Sequence, residues 1–146
     1  MNAAGELARI LGAAPARLAQ IVSAPVVLLD QAPDGATALI EGQWFVAGEP
    51  PLVAVGISSD AITVAVPGVV WNGQIPRLKL DGTTTRSSRS DEPVTEWVLE
   101  AAERAITTRL ATFATCEECH EATPPEWLHD THLCQSCAAA NHDIVY

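Results

Sequence analysis

The chain has 146 residues, 48% of them hydrophobic, and a formal net charge of −10. This length fits one domain, or one domain with a small metal-stapled appendage, and the apolar content excludes a disordered chain. No apolar run approaches the roughly eighteen residues of a membrane helix, and the segment around Glu6 and Arg9 lacks the continuous apolar stretch of a signal peptide, so a cytoplasmic, reducing setting is expected.

Residues 3–22 read as two short helices broken near Pro15, with Leu7, Ile10 and Leu11 on one apolar face and Leu18, Ile21 and Val22 on the next. The run "ELARILGAAPARLAQIV" also has the offsets of a helix-turn-helix unit at Ala8, Gly12 and Leu18, although only Arg17 and Gln20 are available to contact DNA. From Val26 to about Leu80 the pattern becomes that of strands: Val26–Leu29, Thr37–Ala47, Leu52–Ile57, Ala61–Val66, Val69–Trp71 and Arg77–Asp81. Ser58-Ser59-Asp60 reads as a hairpin connection and Asn72-Gly73 as a tight turn. Five or six short sequential strands, antiparallel to one another, are expected. Gly82–Ser90 is polar and reads as a loop, in which Arg86 and Arg89 are candidates for holding an anion.

The best helix signal spans residues 91–113. Asp91 suits the cap, Pro93 the first turn, and Glu92 and Glu96 the positive end of the dipole. Its apolar residues cover so wide an arc that a mostly buried helix lying across the sheet is predicted. The helix leads almost directly into the cysteines, so the following module is joined rigidly to it. The expected fold class is α+β: a small, mostly antiparallel sheet with short N-terminal helices and one long helix, followed by a C-terminal treble-clef or zinc-ribbon-like module. The boundary is expected at residues 1–113 and 114–146.

All four cysteines lie in that last segment, as two Cys-x-x-Cys pairs, Cys116/Cys119 and Cys134/Cys137, separated by fourteen residues. A tetrahedral zinc ion needs four thiolate or imidazole ligands converging on one point, and two such pairs provide them within a short stretch of chain. One structural Zn²⁺ bound by Cys116, Cys119, Cys134 and Cys137 is therefore predicted. His120, His129, His132 and His142 lie in the same segment, and a Cys₃His set using His120 or His132 is the alternative ligand arrangement. The Ala138-Ala139-Ala140 run after the second pair favours a helix beginning at Cys134 or Cys137.

The charge is divided unevenly. Residues 1–113 hold twelve acids and all eight Lys/Arg, whereas residues 114–146 hold six acids and no Lys or Arg. Phosphate binding draws on Lys and Arg, so nucleic acid is not expected on the zinc module. Trp127 and the carboxylates Glu117, Glu118, Glu121 and Glu126 are the candidates for contacting a protein partner. The alternative for Trp127 is the mini-core beneath the metal knuckles, and for Glu121 and Glu126 a solvated surface.

The segment resembles the GATA-type zinc finger through its two Cys-x-x-Cys pairs, Thr123-Pro124 followed by Trp127, Asp130, and Leu133 just before Cys134. The resemblance covers about 25 residues and implies a treble clef built on zinc. Arginines follow this tryptophan in the members that bind DNA, whereas Leu128 and His129 follow it here. The hairpin around Glu118–Glu121 and Pro124–Leu128 is also similar to that of the DksA/TraR-type finger, which implies RNA polymerase as a partner. No Gly-rich phosphate loop, Ser-His-Asp grouping or His-Glu-x-x-His motif occurs, and four thiolates leave zinc no open position. The expected function is therefore non-catalytic: a zinc-stabilised adaptor or regulator acting through protein–protein contacts, with the transcription machinery as the candidate partner. The alternatives are a DNA-binding regulator using the N-terminal helices and a thiol or zinc redox sensor.

Overall fold

Alternation along the strands sorts apolar side chains onto the two faces of one sheet. The computed structural model describes residues 5, 7–9, 26–29, 33, 42–48, 50–58, 61–87 and 94–145. Strands β1 (Val26–Leu28), β2 (Gln43–Ala47), β3 (Val53–Ile57), β4 (Ala61–Asn72) and β5 (Ile75–Ser87) pair in sequence order, each antiparallel to the next. Phe45, Ala47, Val53, Val55, Ile62 and Val64 fill one face, against helix α1 (Val94–Leu110) and the buried Leu7 and Ala8. On the other face, Trp44, Val46, Ala54 and Ala65 are buried with Leu29, Ala61, Leu78 and Leu80 packed against them. Burial on both faces explains why β2 and β3 read as nearly unbroken apolar runs.

Helix α1 turns Val98, Leu99, Ala101, Ala102 and Ala105 into the core. Three alanines at the contact let its axis approach the sheet closely, and each larger side chain buried there contributes about 1.5–3 kcal/mol. The opposite face, with Glu96, Glu100, Glu103, Arg104 and Thr107, is exposed. The helix is thus half-buried rather than mostly buried, and it ends at Leu110, three residues before Phe113. The expected caps at Asp91 to Pro93 lie outside the described residues. So does most of the N-terminal helical segment, including Gly12, Pro15, Arg17, Leu18 and Gln20.

The two last strands of the sheet are longer than expected. Instead of separate short strands on either side of Pro67, β4 runs through that residue. Proline cannot donate to the ladder, so the pairing shifts there: Val66 lies opposite Gly82 but Pro67 opposite Leu80, which leaves Asp81 as the extra residue of a bulge. A Cβ on Gly68 would stand 2.2 Å from Asp81 Oδ2 and 2.8 Å from Lys79 Cε, so a larger residue there would displace the exposed Lys79–Asp81 ion pair, which closes at 3.0 Å over this glycine. The predicted loop from Gly82 is likewise strand as far as Ser87. Thr63 and Thr85 join hydroxyls across it at 2.9 Å, and the buried Arg86 sets its guanidinium 6.0 Å from the Trp97 ring. Arg86 is therefore not an open anion site, and Arg89 lies outside the described residues. Polar composition concealed this strand, although its threonines have high β propensity.

Beyond Ala65, β4 pairs only with β5 among the described strands, so the end of this hairpin stands out past the sheet. Its turn is Gly73-Gln74, one residue later than the expected Asn72-Gly73, with Gly73 at φ +65. Gly48, at φ +99, closes the β2–β3 connection, where Leu52 N–H donates to Ala47 O at 2.8 Å. A Cβ on Gly48 would meet Leu52 Cγ at 2.8 Å and Pro50 O at 2.9 Å. Gly48→Ala is therefore expected to destabilise the chain by about 1–3 kcal/mol in urea unfolding.

After α1 come a short hairpin, β6 (Ala114–Thr115) and β7 (Ala122–Thr123), a 3₁₀ turn (Pro125–Trp127) and helix α2 (Gln135–Asn141). No helix among the described residues is long and apolar enough to cross a membrane.

Candidate metal centre

The first cysteine pair lies in the loop of the β6–β7 hairpin. Cys116 N–H donates to Glu121 O at 3.0 Å, and His120 N–H returns to Cys116 O at 2.9 Å. His120 takes φ +63, which turns the chain back sharply enough to bring Cys119 beside Cys116. The second pair opens α2. Cys134 is its N-cap, and its sulfur accepts the Cys137 N–H at 3.4 Å. A loop from Leu128 to Cys134 brings the pairs together. Asp130 Oδ1 accepts the N–H groups of His132 at 2.8 Å and Leu133 at 2.9 Å, and Glu117 N–H reaches His132 O at 2.9 Å. These N–H groups, His132 foremost, hold the Asp130 carboxyl below its ordinary range.

The four sulfurs lie within 4.8 Å of one another, and Cys119 Sγ and Cys134 Sγ are 3.8 Å apart. A tetrahedral site with Zn–S bonds of about 2.3 Å has sulfur–sulfur edges of about 3.8 Å. All four cysteines are free thiols. The donor set and its spacing therefore suit a single zinc ion, and Cys116, Cys119, Cys134 and Cys137 are the residues that would hold it. The predicted tetrad is brought together as expected. Of the four histidines none joins this cluster: His142 Nε2 pairs with Glu118 Oε1 at 2.6 Å, and His132 Nδ1 with the Thr131 hydroxyl at 2.8 Å.

The thiols share one small volume, and their proton affinities diverge accordingly. Backbone N–H groups of Cys119 and Cys134 lean on the Cys116 sulfur and lower its pKa to about 6. Cys137 is pushed far up by the Cys134 thiol, by burial and by the Cys116 and Cys119 thiols. Several thiolates cannot accumulate at one point without a cation between them, so a divalent ion displaces the remaining protons as it binds.

The candidate partner-contact residues fall into four situations. Glu117 and Glu121 are exposed. Glu118 ties the end of α2 to the first knuckle, accepting from Asn141 Nδ2 at 2.7 Å as well as meeting His142. These hydrogen bonds, His142 first, hold its carboxyl below the ordinary range. Glu126 is neither a partner contact nor a solvated carboxylate. Its side chain is 2% exposed and forms an ion pair with Arg109, itself 3% exposed, in the last turn of α1. Trp127, expected beneath the knuckles if not on a partner, is 46% exposed and meets Trp71 of β4 edge-on at 5.1 Å between ring centroids.

Glu126 is the residue through which the cysteine-bearing segment docks. Its carbonyl accepts Trp71 Nε1–H at 2.8 Å and Gln135 Nε2–H at 3.2 Å, while its carboxylate holds Arg109. Arg109 also donates Nε–H to Pro51 O at 2.9 Å and lies 5.1 Å from the Phe113 ring centroid. Glu126 thus joins α1, the end of β4 and α2, and Arg109 extends the tie to the β2–β3 connection. Sequence reasoning missed Arg109, Trp71 and Gln135 in this role. The available signal was Arg109 itself, a lone cation among the apolar residues ending a helix and close to an acid-rich segment without any of its own.

No family model matches this chain, and no curated protein or solved structure is significantly similar to it.

Proposed function

We propose that the protein is a non-catalytic, zinc-stabilised adaptor or regulator that acts by binding another protein, with the transcription machinery as the candidate partner. The observation that carries this reading is the converging Cys₄ set, because four thiolates fill the tetrahedral shell of zinc and leave no position for substrate or activated water. The zinc-bearing segment follows a knuckle, hairpin and helix order in which the helix contributes the last ligand. This order supports the treble-clef assignment and its likeness to GATA-type fingers. Six acids without a Lys or Arg in residues 114–146 favour a protein partner over phosphate.

Two measurements test the reading together. The zinc-loaded chain is expected to retain a protein from the source cell that the chelated chain does not, and to leave a random DNA duplex unshifted at physiological salt. Salt-dependent retardation of the duplex would replace the reading with a DNA-binding one. Metal-free dithiol turnover, or stoichiometric zinc release by mild peroxide, would replace it with a redox one.

A further inference from the structure

We propose that the groove running across Trp127, from the end of the β4–β5 hairpin to the zinc knuckles, binds an extended segment of a partner protein. In this segment an apolar side chain is followed by Lys or Arg. The proposal rests on the adaptor reading and assigns it a surface.

The groove has two compartments with different chemistry. On one side of Trp127, a concavity of about 520 Å³ is lined by Trp71, Gly73, Gln74, Trp127 and Gln135, without a charged side chain. On the other side, a depression of about 390 Å³ is bordered by Cys119, Glu121, Cys134, Ser136 and Cys137. Trp127 and Gln135 belong to both. Each volume falls in the range of clefts that hold a small ligand or a side-chain anchor, about 300–1,000 Å³. The edge-on contact with Trp71 fixes Trp127 while leaving much of it in solvent, and Gln135 is fixed by its bond to the Glu126 carbonyl. A rigid aromatic surface of this kind binds apolar or proline-containing chain with little loss of side-chain entropy.

Charge complementarity determines the other half of the occupant. The second compartment is lined by Glu121 and three of the four cysteines, Cys119, Cys134 and Cys137, and a zinc-bound tetrathiolate would carry a net charge of about −2. The segment after Arg109 offers no Lys or Arg to balance this, and the guanidinium of Arg109 is already taken by Glu126. A cationic side chain next to the apolar anchor supplies the missing charge, whereas a nucleic acid backbone would be repelled.

The test is selection of random peptides, displayed on phage, against the full zinc-loaded chain. Enriched sequences are expected to place Lys or Arg next to an apolar residue or proline. A selected peptide should lose roughly tenfold or more in affinity on Glu121→Lys, as reversal of a contacting charge does, and should lose detectable binding on Trp127→Ala. Zinc content near one per chain verifies that each variant is folded, and Trp127→Phe should retain part of the affinity. Failure to enrich any sequence, enrichment without a basic residue, or binding unmoved by both substitutions overturns the proposal. Concentration-dependent self-association lost on Trp127→Ala does so too, by assigning the groove to a second copy. Zinc-dependent capture of a cellular protein that is insensitive to Trp127 and Glu121 would overturn this surface and leave the adaptor reading standing.

Discussion

Stripping zinc from the protein with a chelator is expected to unfold residues 114–145 while the sheet and α1 remain folded. The reason is the balance of forces in so short a segment. Its buried residues are Cys116, Thr123, Pro124, Glu126, Cys134 and Ala138, two of them ligands and none a large aliphatic side chain. Such a set cannot offset the ordering entropy of about 1–2 kcal/mol per residue in backbone terms alone. A structural zinc supplies on the order of 10 kcal/mol or more, and because the site does not exist in the unfolded chain, binding free energy is folding free energy. The sheet carries its own core on two faces and does not depend on the ion. In ¹⁵N spectra, chelation should collapse the dispersion of amides 114–145, including the Trp127 indole, and restoring one equivalent of zinc should return it. The Trp71 indole should also move, since its hydrogen bond to Glu126 O is lost with the module. Full retention of the native spectrum after quantitative zinc removal would sink this account of the module.

How much of this was legible beforehand differs between elements for physical reasons. The cysteine cluster was readable because two Cys-x-x-Cys pairs impose their geometry locally, each within one turn of chain. Helix α1 was readable from its apolar periodicity, and strands β1 to β3 as short apolar runs bounded by turn residues. The ends of β4 and β5 were not. Pro67 looks like a break and Thr83 to Ser87 looks like a loop until pairing places a bulge beneath one and a cross-strand threonine contact beside the other. Glu126 was misread for a more general reason. A carboxylate in an acidic, proline-flanked stretch belongs in water by every local rule, and only a cation buried on another element reverses that. Arg109 is 17 residues away, and nothing in the intervening sequence announces the pairing.

That pair leads to the second large effect. Arg109→Met should destabilise the zinc-loaded protein by about 3–5 kcal/mol, because it leaves the Glu126 carboxylate buried without its cation. Arg109→Lys should recover only part of this. A point-charge ammonium cannot meet Pro51 O and Glu126 together while lying against Phe113, as the planar guanidinium does. Glu126→Leu should be comparably harmful alone, since it leaves the guanidinium buried without its carboxylate and with only Pro51 O as acceptor. The double replacement, Arg109→Met with Glu126→Leu, removes both charges and should be less damaging than the sum of the single changes. A double-mutant cycle in urea unfolding, with zinc held in excess, measures the coupling directly. A coupling of at least about 1–3 kcal/mol is expected, as for contacting residues in one buried network. The Trp71 contact separates docking from simple loss of stability: in the single variants that remain folded, the Trp71 indole N–H should exchange faster while the zinc stoichiometry stays at one. Additive single effects below about 1 kcal/mol would mean that the pair is only as strong as an exposed one. The rigid attachment of the metal module would then have to come from Trp71 and the short 111–113 connection alone.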